Sequence, residues 1–265
     1  MKKSLKIAAF ILALVLIIFL IYLADIFTGY PVSYFRVKNV LDTYMQEHYS
    51  ETDFVTEKLT YSLKLGGFNA DVYSPSSTDS NFSIGFYNDG TLKYDTYEMN
   101  VKTGMNTAMR LSSEYNDSAR KIFDEAEFPF DALLSGELCI DHGFEAGLPG
   151  TKIENIIPEE LEIDKNYNIA ELSKEHGKLY LRVFSDDVNA ETAAASLLKL
   201  YEIMDKAELP FKAVHLEICS NEKDENNNPE KTMQIINFGW DDILASGLDE
   251  RIELAVKATE DYYNR

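Results

Sequence analysis

Ile7 to Ala24 is an unbroken run of eighteen residues without one strongly polar side chain, and no other feature constrains the chain as much. A helix rising about 1.5 Å per residue covers roughly 27 Å over this run, close to the ~30 Å hydrocarbon thickness of a bilayer. Thirteen of the eighteen residues are Leu, Ile, Val or Phe. Their insertion free energies sum to on the order of −4 to −8 kcal/mol, enough to place the segment in lipid. With Lys6 able to snorkel at one end and Ile26 and Phe27 extending the other, a transmembrane helix is expected over residues 7–27.

A cleaved secretory signal has an apolar core of about 7 to 15 residues and small residues at the cut. Here the run is longer, and a cut after Ala24 would put Tyr22 where a small side chain is needed. A retained anchor is therefore expected. Lys2, Lys3 and Lys6 precede the span and Asp25 is the first charge after it. The positive-inside rule then places residues 1–6 in the cytoplasm and the rest outside it, at a cell membrane crossed once.

The formal net charge is −20, and with three of the 25 basic residues ahead of the span and all 45 acids behind it, residues 25–265 carry about −23. Binding phosphate backbones needs the opposite sign, so no nucleic acid is expected as partner. The same sign sets the exposed part off from an anionic bilayer surface. An envelope protein partner, basic in character, suits the field; so does plain solubility. Cys139 and Cys219 lie in apolar contexts, and whether they form a disulfide stays open.

Beyond the span, periodicity predicts two α+β domains. Gly29 and Pro31 end the first helix, and Ser33 is positioned to cap a second, with Val37, Val40, Leu41, Tyr44, Met45 and His48 at helical spacing. From Phe54 to Asp95 the period changes to two. Val55, Leu59, Tyr61, Leu63 and Leu65 alternate in a first strand, which turns at Gly66–Gly67 into Phe68, Ala70 and Val72; Phe82, Ile84 and Phe86 then pass through "NDG" to Leu92 and Tyr94. This predicts one helix on a four-stranded antiparallel sheet, in the manner of cystatin-like or PepSY-like modules, with Tyr61 and Tyr94 inward. A helix over 104–127, carrying Met105, Ala108, Met109, Tyr115, Ala119, Ile122 and Phe123 inward, completes a domain of residues 32–127.

Residues 128–177 have poor periodicity and frequent Pro and Gly, and read as a linker with a strand near 137–140. Residues 178–265 read as a β-α-β-β-α, ferredoxin-like unit. Its strands fall on "KLYLRVFS", Val214–Ile218 and Met233–Phe238, with helices after Asn189, carrying Ala194, Leu197, Leu198, Tyr201 and Met204, and after Ser246.

Candidate chemistry is sparse. "SLLK" (Ser196–Lys199) and "KTG" (Lys102–Gly104) imitate penicillin-binding signatures, but in the wrong order, and Ser196 falls inside a helix. The four histidines are scattered, with only His142 and Glu145 close enough to begin a metal site. "DENNN" lacks the glycine and terminal glutamate of a calcium loop. No catalytic, cofactor or metal residue is assigned. Of the sixteen tyrosines, Tyr73 and Tyr87 are free to stack on an outside partner.

The anchor followed by "GYPVS", the helix closing at "HYSETDF", then "ADVYSPSSTDSNFSIGFYNDGTLKYDTYE" and "RLSSEY", resemble the N-terminal part of YfjL-like proteins, small membrane-anchored proteins of Firmicutes. "DVNAETAAASLLKLYEIMDKAELPF", "INFGWDDI" and "DYY" resemble their C-terminal domain. The resemblance implies a Gram-positive envelope location and carries over no catalytic residue. The expectation is a non-enzymatic binding or regulatory module at the envelope. The alternatives are an enzyme with an acidic site around residues 141–165 and a sensor coupled to the membrane through Pro31.

Overall fold

The computed structural model describes residues 2–141 and 147–264, and divides the chain into two compact units, residues 1–106 and 107–265. The fold is α+β throughout, an apolar N-terminal helix followed by an antiparallel and a mixed sheet.

In the first unit, helix α1 (Lys2–Thr28) holds a 24-residue stretch, Leu5–Thr28, long and apolar enough to cross a membrane, with none of it buried in protein. Gly29, at φ +68°, breaks it, and α2 (Val32–Tyr49) follows. The expected Ser33 cap is replaced by a reach across the break. Asp25 accepts from the Ser33 amide (2.8 Å) and hydroxyl (2.5 Å), occupying two donors at the head of α2.

The sheet comprises β1 (Val55–Thr56), β2 (Thr60–Ser62), β3 (Gly67–Tyr73), β4 (Asn81–Phe86) and β5 (Leu92–Asp95). β1 and β2 both pair with one edge of β3, so the predicted first strand is present in two pieces. Phe68, Ala70, Val72, Phe82, Ile84 and Phe86 face Val37 and Leu41 of α2 and form the core. Three expectations fail here. Val55, in the two-residue β1, is exposed instead of facing the core. Leu63 and Leu65 are exposed, because pairing stops at Ser62, whose hydroxyl accepts the Leu65 amide and closes a turn over 63–66. Tyr94 points outward because β5 carries an extra residue opposite Gly85–Phe86, which sends Leu92 and Tyr94 to opposite faces. Its ring covers Gly85, where a Cβ would come within 2.4 Å, and its hydroxyl donates to Asn69.

The second unit begins inside helix α3 (Met105–Asp124), which the sequence spacing had assigned to the first. Leu111, Tyr115, Ala119 and Phe123 of α3 lie in the larger core, while Met109 is exposed. The expected linker is also structured. It contains β6 (Asp131–Leu138) and α4 (Ile169–His176), the first antiparallel to β7 (Gly177–Phe184) over its whole length. Then come α5 (Ala190–Lys206), β8 (Ala213–Cys219), β9 (Thr232–Gly239), α6 (Trp240–Ile243) and α7 (Leu248–Tyr263). Asn189 caps α5 as predicted, accepting from the Thr192 amide at 2.9 Å. Gly247, at φ +73°, instead of Ser246, starts α7.

The β-α-β-β-α run is present, within a sheet ordered β6-β7-β8-β9. β7 and β8 are adjacent and parallel, so α5 crosses between neighbours without the intervening strand of a split ferredoxin-like unit. Side chains of α3, α5 and α7 pack on one face, made of Leu134, Leu138, Leu179, Leu181, Val183, Val214, Leu216 and Ile218. At the free edge of β6, α3 supplies the missing acceptors: Asn116 takes the Gly136 amide (3.0 Å) and Ser112 the Leu138 amide (3.0 Å).

Candidate functional site

The face of the second sheet turned away from the helices is polar. Alternation along β7 sends Lys178, Tyr180 and Arg182 to it, and the registers bring Glu137 beside Lys178, His215 beside Tyr180 and Glu217 beside Arg182. The pairs interact. Tyr180 donates to Glu137 (2.5 Å), Arg182 to Glu217 (2.5 Å), and Gln234 donates to the other Glu217 oxygen (3.1 Å). Burial, then the bond to Glu137, pushes the Tyr180 hydroxyl up. Burial and the neighbouring Lys178 charge hold His215 below its ordinary value.

One end of this face is roofed. After β6 the chain bridges Ile140 to Ile156, and its Thr151 amide donates to the Asn237 carbonyl (2.8 Å). Gly150 sits where a Cβ would lie 2.4 Å from the Ile236 carbonyl oxygen, so the strap lies directly on β9. Beneath it is a cavity of about 780 Å³, lined by Met109, Glu137, Cys139, Thr151, Lys152, Lys178 and Asn237 among others.

Two polar side chains stand out there. Lys178 is 7% exposed; its ammonium lies 4.6 Å from the Tyr180 ring centroid and has no carboxylate at ion-pair distance among the described residues. Asn237, also 7% exposed, adopts φ +50° at an irregularity in the β8–β9 pairing, and its Oδ1 has no hydrogen-bond partner among the described residues. Buried polar atoms normally find partners, so the Asn237 oxygen is a recognition point for a donor, with the Lys178 charge beside it over the Tyr180 ring. Cys139, on the same wall, has its thiol pushed up to about 11 by burial and then by Glu137, which keeps it protonated near neutrality. The chemistry this arrangement offers is hydrogen bonding and charge recognition.

The residues weighed from the sequence fall elsewhere. His142 and Glu145 lie outside the described residues. Of the acids over 141–165, Glu154, Glu159, Glu160, Glu162 and Asp164 are exposed. Among the described residues no three metal-ligating side chains come together. Ser196 is buried and donates to the Thr192 carbonyl (2.7 Å), while Lys199 pairs with Glu202 (3.0 Å). Lys102 pairs with Glu98 in a wide helical turn, Glu98–Lys102, instead of a strand. Asp224 closes the β8–β9 tip by accepting the Asn226 and Asn228 amides. Cys139 and Cys219 are both free thiols. Cys139 follows the end of β6 that pairs with Gly177, and Cys219 pairs with Phe184, seven residues along β7, about 23 Å at 3.3 Å each and well beyond the ~7 Å Cα limit of a disulfide. Tyr73 and Tyr87 are exposed as expected.

An apolar N-terminal helix, a helix-on-sheet unit and a helices-on-sheet unit with a roofed polar face define a two-domain α+β protein with, among the described residues, one potential span. Its family follows from the chain itself. The YfjL-like N-terminal domain matches residues 2–102 and the YfjL-like C-terminal domain matches residues 114–253, on either side of the division between the units. The chain belongs to the YfjL-like family. No curated protein and no solved structure matches it.

Proposed function

We propose that this is a single-pass membrane protein with a short cytoplasmic N-terminus whose two α+β units lie outside the cytoplasm and act as a non-enzymatic binding module at the cell envelope. The cavity under the strap is its ligand seat. The observation that carries this reading is the pair of buried polar groups, Lys178 and Asn237, facing a cavity large enough for a small molecule. The Asn237 oxygen accepts, and the Lys178 and Lys152 charges outnumber the Glu137 carboxylate in the lining, so the seat favours a small ligand that carries a hydrogen-bond donor together with a carboxylate or phosphate. The three lysines ahead of the span support the orientation.

The test is calorimetric titration of the full chain in detergent micelles with small carboxylates, phosphates and anionic envelope fragments. Binding is expected for a compact anion, and Lys178→Met is expected to weaken it about 10- to 100-fold, the equivalent of about 1.5–3 kcal/mol for a charge-assisted hydrogen bond. Equal affinity in the variant would remove the cavity from the function. Consumption of an envelope substrate by the chain, abolished by changes in residues 141–165, would replace binding by catalysis.

A further inference from the structure

We propose that the end of the N-terminal unit from which α1 departs is itself a lipid-binding surface, seated among the headgroups of an anionic bilayer. The inference rests on the reading of α1 as a membrane span. Contacts along α2 fix which end this is. Near the start of α2, Tyr34 meets Phe68, Arg36 donates to the Asn88 carbonyl, and Val40 packs against Gly90. At its far end Tyr49 meets Phe54 and Phe82 and donates to Asp95. Because α2 starts just after α1 stops, the turns Leu63–Gly66 and Asn88–Gly90 lie at the end where the span leaves. Tyr61 fastens the first turn there. Its hydroxyl donates to the Ile26 carbonyl (2.7 Å) and its ring packs on Gly29.

This end carries what a headgroup layer accepts. Leu63 and Leu65 are 57% and 61% exposed at the tip of the turn, with Tyr30, Val32 and Phe35 exposed beside the break between the helices. Apolar residues at a turn tip serve no core, and aromatic side chains favour the membrane–water boundary. Between the two leucines stands Lys64, and the Lys93 ammonium donates to the Leu65 carbonyl at 2.6 Å. With Arg36 they form a cationic group in a chain of net charge −20. Two acids lie at this end, Asp89, held ionised by the Thr91 amide at 2.9 Å, and Asp25, which accepts from Ser33, so Arg36, Lys64 and Lys93 leave a balance of one positive charge. The local charge thus has the sign that anionic lipid attracts, while the rest of the chain has the sign it repels. A bilayer is also the one partner already at this surface, since the span ends against Tyr61.

The test uses the full chain in phosphatidylcholine–phosphatidylglycerol vesicles, with both native cysteines changed to alanine and one nitroxide at Leu63, Leu65 or, as the far-end reference, Tyr73. The vesicle-bound chain should show an oxygen-to-nickel-chelate collision ratio several-fold higher at 63 and 65 than at 73, and Lys64→Glu with Lys93→Glu should bring the two ratios together. A chain that floats with the vesicles but has labels at 63 and 65 as wetted as at 73 overturns the lipid seat and leaves the span intact; capture of that end by another protein would then be the remaining use for it. A chain that fails to float removes the span and the seat together. If the cysteine-free chain does not fold, a benzophenone amino acid at Leu65 in the native background gives the same reading, with crosslinks to lipid expected there and not from Tyr73.

Discussion

His215 shows how a single residue reports on the roofed face. It lies beside Tyr180, ring centroids 5.8 Å apart, with Lys178, Arg182 and Glu217 around it. Burial and Lys178 lower its proton affinity more than Glu217 raises it. The folded state therefore holds the imidazole neutral to a lower pH than the unfolded chain, whose value is 6.5. Above pH 6.5 this group leaves stability untouched. As the pH falls below 6.5 the unfolded chain binds the proton first, and stability drops until the lowered folded value is passed. Urea midpoints at pH 7.5 and 5.5 should differ more for the wild type than for His215→Asn; equal differences would mean that the ring is solvated like a free histidine.

At the scale of elements, what the sequence made legible depended on whether alternation ran undisturbed. β3, β4 and the stripe of α2 could be read because Phe68 to Val72, Phe82 to Phe86 and Val37 to Leu41 keep one period and face one core. Tyr94 was misplaced because a single extra residue in β5 reverses every face beyond it, and no residue type announces such a shift. β6 is legible only at its end, as the strand expected near 137–140, for another reason. "DALLSGEL" has a glycine and a serine where an edge strand would show β-branched residues, and its register is held by α3, through Asn116 and Ser112, from twenty or more residues away. The roofed site shared that fate: Glu137, Lys178, His215 and Asn237 come from four strands, and nothing local marks them as neighbours. The edge contact is testable. Asn116→Ala would leave the half-buried Gly136 amide without its acceptor and cost about 1 kcal/mol, read as a lower denaturation midpoint. An unchanged midpoint would show that the strand edge finds water instead.

For the whole molecule, the division at residue 106 makes a claim about cooperativity. α3 looks from the sequence like the last element of the first domain, since it follows four strands and precedes a stretch rich in Pro and Gly. In the fold it closes the second core: Leu111, Tyr115 and Ala119 are fully buried and Phe123 nearly so. Each large side chain buried contributes about 1.5–3 kcal/mol, so Leu111, Tyr115 and Phe123 together bring several kcal/mol to a domain whose net stability is about 5–15 kcal/mol. Loss of α3 also strips the acceptors from the β6 edge and exposes a strand able to pair with other chains. A fragment of residues 107–265 is therefore expected to be monomeric and to unfold in one transition matching the second unit of the full chain. A fragment of residues 128–265 is expected to aggregate or to exchange its β6 and β7 amides without protection. Should the shorter fragment fold as stably as the longer one, α3 would be a passenger on that sheet, and the boundary would return to the position its sequence spacing implied.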